Sequence, residues 1–238
     1  MSEGMIIRRG GGGGGFDPTG AILKVVTSAG CTVNVSGTSY SRTQTDAEGF
    51  PRSGDANVVE HFFNIPSTAF GTITVTATNT YGTNTKTLTV NTAGKVYEAL
   101  IGGINILLNS TLGKQDGFSI SDDGAGTSSV YDSDYKTYTL RVITSSSGVF
   151  RFSGSYSVSL YDKIKITYKT ESTSASSAWK LFGANKDNVQ VFNQSLGVGE
   201  TYHSEEVALT DKEKSPFTFG FMQGYTNKTI IISEISFS

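Results

Sequence analysis

The residues of this chain whose types could do chemistry are few: two histidines, one cysteine and a handful of acidic pairs. His61 sits in "VVEHFFNI", inside a strand-like run, and reads as a structural residue rather than a base. His203 sits in "TYHSEE", at a strand edge, with the same reading. Cys31 opens a strand and reads as a small buried hydrophobe. Paired carboxylates could cleave glycosides, and the candidates are Asp122-Asp123, Asp132 with Asp134, and Glu205-Glu206. All lie in Gly/Ser-rich turns or on a solvent-facing strand, where surface charge is the simpler account. No catalytic constellation emerges, and the chain is expected not to be an enzyme.

Two other chemistries are open. "SDDGAG" (Ser121 to Gly126) offers oxygens to Ca²⁺, with Asp122 and Asp123 as the ligands and Glu234 as a further donor, but without full EF-hand spacing. No cofactor is expected beyond that weak structural ion. Sugars need exposed aromatic faces, because the CH face of a pyranose packs on a ring while polar neighbours orient its hydroxyls. Tyr131, Tyr135, Tyr156, Tyr161 and Tyr225 lie in loop-like stretches. Trp179, the single tryptophan, completes the candidate set, although alternation puts it on a face with Leu181 and Gly183 that suits a core.

"MIIRRGGGGGGFDPTG" (Met5 to Gly20) fails as a phosphate loop. Such a loop needs glycines followed by Lys-Ser/Thr opening a helix, whereas here the arginines precede the glycines and a strand follows. It reads instead as an arm. Met5, Ile6 and Ile7 could add to a neighbour's sheet edge, and Arg8 and Arg9 could pair with that neighbour's carboxylates.

Composition agrees with a polar β protein. Charged residues make up 17%, against roughly 25% in an average domain, and Ser, Thr, Asn and 28 glycines fill the gap. There are 11 Tyr and 14 Phe, and the net charge is −2. No extended basic field exists to hold a nucleic-acid backbone. One cysteine excludes an internal disulfide. The most apolar stretch, "ALIGGINILL" (Ala99 to Leu108), is about half a membrane span, so no membrane partner is expected. With no charged-then-apolar leader, synthesis in the cytoplasm without classical export is expected.

The positioning elements are strands. In "TITVTATN", Ile73, Val75 and Ala77 face one way and four threonines the other. "NTYGTNT" then turns into "KTLTV". "KIKITYKT" places Ile164, Ile166 and Tyr168 on one face. "TIIISEISFS" reads as a central closing strand with Ile231, Ile235 and Phe237 aligned across Ser233. The expected fold class is all-β: two antiparallel β-sandwiches with an extended Gly-rich N-terminal arm. The divisions are 1–16 for the arm, 17–92 for a small Ig-like sandwich, 93–112 for a connection with a short helix near Val96 to Leu100, and 113–238 for a jelly roll.

Two stretches carry a resemblance. "INILLNSTLGKQDGFSI" (Ile104 to Ile120) resembles the opening of carbohydrate-binding-module-like jelly rolls in phage tail and fibre proteins, at Asn105, Leu107, Leu108, Asn109, Ser110 and Gly117, with Phe118 near the usual aromatic. It departs at Leu112, where phenylalanine is common in that group. "LYDKIKITYKT" and "IIISEISF" resemble two later strands of the same group, and "GAILKVVTSAGCTVNVSG" resembles an Ig-like or PEGA-like virion domain. The resemblance implies a virion component of tail-fibre, receptor-binding or head-decoration type. Its arm and first domain would attach to other virion proteins, and its jelly roll would face host-surface polysaccharide. The alternatives are a carbohydrate-binding module of a cell-wall-binding complex and a jelly-roll glycosidase or lyase. Head or tail location, the glycan and homo-oligomerisation stay open, since no heptad or repeat specifies a copy number.

Overall fold

The computed structural model describes residues 19–144, 147–153, 158–171, 178–184, 190–209 and 218–238. Met5 to Arg9, the residues read as an adhesive tip, lie outside that set. The protein is all-β and divides into two compact units, residues 1–103 and 104–238.

The first unit contains β1 (Ala21–Ser28), β2 (Thr32–Gly37), β3 (Tyr40–Gln44), β4 (Phe50–Arg52), β5 (Asp55–Ile65), β6 (Gly71–Asn79), β7 (Gly82–Val90) and β8 (Val96–Leu100). They form two four-stranded sheets, in the orders β4-β5-β1-β8 and β3-β2-β6-β7. Period-2 alternation builds the core between them. Leu23, Val25, Phe63 and Ile65 face Val33, Val35, Ile73, Val75 and Ala77, all fully buried. β6 and β7 pair in register from Gly71↔Val90 to Asn79↔Gly82, so the outward threonines of one strand stand beside those of the other. Across the outer face of the first sheet, Lys24 bridges Glu60 at 2.9 Å and Glu98 at 3.2 Å.

The expected helix at Val96 to Leu100 is instead strand β8, parallel to β1 from Ile22↔Val96 to Val26↔Leu100. Five residues are too few to sustain a helix by themselves, and pairing with β1 satisfies their backbone while burying Ala99. The segment read as a connection thus supplies β8 to the first unit, while Asn105–Asn109 supplies a strand to the second.

The second unit contains β9 (Asn105–Asn109), β10 (Gly113–Lys114), β11 (Ile120–Asp122), β12 (Thr127–Asp132), β13 (Thr137–Val142), β14 (Gly148–Phe152), β15 (Lys163–Thr170), β16 (Lys180–Ala184), β17 (Gln190–Ser195), β18 (His203–Ala208), β19 (Thr218–Gln223) and β20 (Lys228–Phe237). Among the described residues one sheet has seven strands, with β20 pairing β9, β13 and β15, and with β18 beyond β15. The other has five, in the order β11-β14-β19-β16-β17. Aromatic rings join the two sheets: Phe219 of β19 meets Phe237 of β20 with centroids 5.1 Å apart.

β20 is central, as its apolar sequence suggests, but its alternation breaks. The register against β15 shifts between Thr167↔Glu234 and Tyr168↔Ile232, leaving Ser233 as the extra residue of a bulge. Ile230 and Ile232 point inward before it, and Ile235 and Phe237 after it. Ile231 therefore does not share the face of Ile235 and Phe237, because the bulge resets the phase by one residue. The Ser233 hydroxyl donates to the Thr167 carbonyl at 3.3 Å.

Candidate functional site

The outer face of the five-stranded sheet carries a cleft of about 440 Å³. Register builds its floor. Val149 of β14 stands opposite Met222 of β19, Met222 opposite Lys180 of β16, and Lys180 opposite Ser195 of β17. Four strands thus contribute one residue each to a continuous row. Ser147, Gln223 and Tyr225 complete the wall at the strand ends. Tyr225 lies just after β19 with 55% of its surface exposed. The Gln223 side-chain oxygen accepts the Gly224 N–H at 2.9 Å, and Asn193 Nδ2 lies 3.8 Å from the Met222 sulfur.

The next row along the sheet supports this floor. It reads Ser121, Arg151, Gly220, Phe182 and Asn193 from β11 to β17. The Phe182 ring lies across Gly220, where a Cβ would sit 2.7 Å from it. Above that ring the Arg151 guanidinium stands 5.9 Å from the centroid, and it pairs with Asp123 at 3.2 Å. Phe182 is therefore buried although it faces outward. The resulting cleft offers an aromatic face, a thioether and Val149 as apolar ground, and an ammonium, an amide and hydroxyls as polar groups. That combination suits a sugar ring.

The other sugar-binding candidates fall in three places. Tyr131, at the end of β12, and Tyr135, in the turn that follows it, mark a second patch, where the Lys136 ammonium donates to the Thr111 carbonyl and the Lys114 nitrogen lies 5.7 Å from the Tyr131 centroid. Tyr135 is 76% exposed there, whereas Tyr131 packs on Tyr138 at 5.1 Å. Trp179 and Tyr161 are corrected to core positions. Trp179 is 1% exposed and packs against Phe150 at 5.5 Å, and Tyr161 is 8% exposed against Phe237 at 5.5 Å. Neither presents a face to a ligand, because each ring fills space that its sheet's inward alternation leaves. Tyr156 lies outside the described residues.

The calcium candidates are not brought together. Asp122 accepts the Ser129 N–H at 3.1 Å, Asp123 holds Arg151, and Glu234 on the other sheet accepts from Thr167 at 2.9 Å and pairs with Lys165 at 3.3 Å. Among the described residues no three His, Cys, Asp or Glu side chains gather into a metal-binding group. Asp132, Glu205 and Glu206 have local partners. Asp132 caps the turn by accepting the Asp134 and Tyr135 N–H groups at 2.9 and 3.0 Å, and Glu206 pairs with Lys163 at 2.6 Å. Glu205 accepts the Tyr168 hydroxyl and the Gly197 N–H, the latter at 2.7 Å, with His203 Nε2 at 3.8 Å. Burial and that carboxylate hold the Tyr168 hydroxyl well above its ordinary pKa.

His61 is fully buried inside the first sandwich, and neither ring nitrogen has a hydrogen-bond partner among the described residues. The nearest carboxylate oxygen, on Asp46, is 4.0 Å away. Burial pushes the imidazole below its ordinary value, against the opposing pull of Asp46 and Glu48. The unfolded chain therefore binds this proton more readily than the folded one. Stability is present above about pH 6.5, the free-histidine value, and is lost as pH falls from there through the lower folded value. Thermal melts from pH 7.5 to 5 should show the first unit weakening on acidification, with a flatter profile in His61→Met. Equal slopes in the two proteins would show that another group governs the acid response.

Cys31 is buried, as its neighbours in sequence suggest. The floor residues Val149, Met222, Lys180 and Ser195 were missed by sequence reasoning. Each belongs to an ordinary alternating strand, and only the register aligns them.

No protein-family model matches the chain, and no curated protein matches it. Among solved structures it is similar to family 29 carbohydrate-binding modules. One mutant module is 14% identical, with a TM-score of 0.43, over 56% of this chain and 83% of that chain. A second mutant, complexed with cellulohexaose, is 13% identical with a TM-score of 0.43, over 56% and 89%. A third, complexed with mannohexaose, is 14% identical with a TM-score of 0.43, over 56% and 89%.

Proposed function

We propose that the second unit is a saccharide-binding module that uses the outer face of its five-stranded sheet, in a non-enzymatic attachment protein of a bacteriophage particle. The observation that carries the binding reading is the cleft with an exposed Tyr225 ring beside a row of Val149, Met222, Lys180 and Ser195. The virion setting rests on the resemblance of "INILLNSTLGKQDGFSI" and of the first unit's strands to phage structural modules. In this reading residues 1–16 hold the chain to other virion proteins and the cleft meets polysaccharide on the host surface.

Glycan-array screening followed by titration calorimetry on the full chain tests the cleft. Tyr225→Ala should weaken any bound saccharide at least tenfold, ~1.4 kcal/mol, through loss of ring stacking. Tyr135→Ala, at the separate patch, should leave affinity within twofold. The reverse pattern moves the site to the Tyr131–Tyr135 patch, and an array without a hit removes the saccharide reading. The virion setting has its own test. Deleting residues 1–16 should abolish incorporation into particles while leaving a soluble protein, and normal incorporation would sink the anchor.

A further inference from the structure

The cleft contains a single charged side chain among its described lining residues, Lys180. Lys180 is exposed, and its cross-strand neighbours Met222 and Ser195 are uncharged. Among the described residues it has no ion-pair partner, whereas Arg151, a cation on the same face, is neutralised by Asp123 at 3.2 Å. None of the described lining residues carries a carboxylate, and the Gln223 side-chain oxygen already accepts the Gly224 N–H.

This asymmetry bears on ligand class. The hydroxyls of a neutral sugar both donate and accept, and the Ser147, Ser195 and Tyr225 hydroxyls of the lining can meet them in either role. An ammonium only donates, through three N–H bonds. Its best partner is an anionic oxygen, which forms a shorter and roughly twofold stronger hydrogen bond. A compact charge on a flexible stem accommodates a carboxylate or a phosphate without the fixed fork geometry of arginine.

We infer that the ligand of this cleft is an anionic saccharide, with a sugar ring resting on Tyr225 and a carboxylate or phosphate group directed at the Lys180 ammonium. The inference rests on the saccharide-binding reading above and specifies its ligand. Because Lys180 is exposed, the attraction is screened by salt, with a Debye length near ~10 Å at 0.1 M.

Three probes test it by calorimetry on the full chain: a galacturonate hexamer, a phosphomannan oligosaccharide and neutral mannohexaose. At least one anionic probe should bind about tenfold more tightly than mannohexaose at 50 mM salt, with the preference shrinking at 500 mM. The arm that binds more tightly identifies the carboxylate or the phosphate as the recognised group. Lys180→Gln should reduce that probe to the affinity of mannohexaose, and Lys180→Arg should restore most of the preference. Near-UV circular dichroism checks that both variants keep the native fold. Equal affinity for all three probes, or an undiminished preference in Lys180→Gln, overturns the anionic ligand and leaves the saccharide cleft standing. Failure of all three to bind, together with a glycan array that carries no hit, overturns both.

Discussion

Replacing Trp179 with alanine should destabilise the second unit by about 3–5 kcal/mol, the range for deleting a buried aromatic side chain. Trp179 is 1% exposed, its ring packs on Phe150, and its carbonyl accepts the Leu196 N–H at 2.8 Å. It therefore holds the start of β16 and the exit from β17 against the core. A loss of that size is a large share of the 5–15 kcal/mol that typically stabilises a folded domain. Denaturant titration followed by near-UV circular dichroism should show the midpoint of the second unit falling sharply. Saccharide binding should fall only in proportion to the unfolded fraction. If the midpoint stays put while affinity collapses, Trp179 is a ligand platform after all.

Gly220→Ala should be comparably damaging, by about 3 kcal/mol. An added Cβ would run into the Phe150 carbonyl oxygen of the adjacent strand and would sit 2.7 Å from the Phe182 ring. The first obstacle is backbone, so relief requires β14 and β19 to separate. Gly183 provides the control. A Cβ there meets atoms of the Phe192 ring, which can rotate away. Gly183→Ala should therefore cost less than Gly220→Ala. Both can be read from the same melts, and equal losses would mean that the Phe150 carbonyl yields as easily as a side chain. Because Gly220 lies one row from Met222, its alanine variant should also weaken saccharide binding by disturbing the cleft floor.

Much of the fold is legible in the sequence. "TITVTATN" and "KIKITYKT" became β6 and β15 with the expected faces buried, because a strand with one wet face must alternate. The burial of Cys31 was also legible from its setting. Less legible were features that depend on a partner strand. Val96 to Leu100 is a strand because β1 is beside it, and five residues carry too little pattern to say so. Ile231 changed face because of a bulge at Ser233, which is defined only against Thr167 and Tyr168 of β15. The acids read as candidate ligands or catalysts are held by turn N–H groups and cations that no spacing rule reveals.

The candidate cleft divides along the same line. Sequence alone determined that Tyr225 stands in a loop and that Lys180 sits on the opposite face of its strand from Leu181, because side chains alternate along a strand. Tertiary structure decided that Val149, Met222, Lys180 and Ser195 form one row with Tyr225 at its end. Alternation states which residues share a face of one strand. It does not state which strands are neighbours or in what register, and a slip of one residue in any of the four strands would turn its member of the row inward.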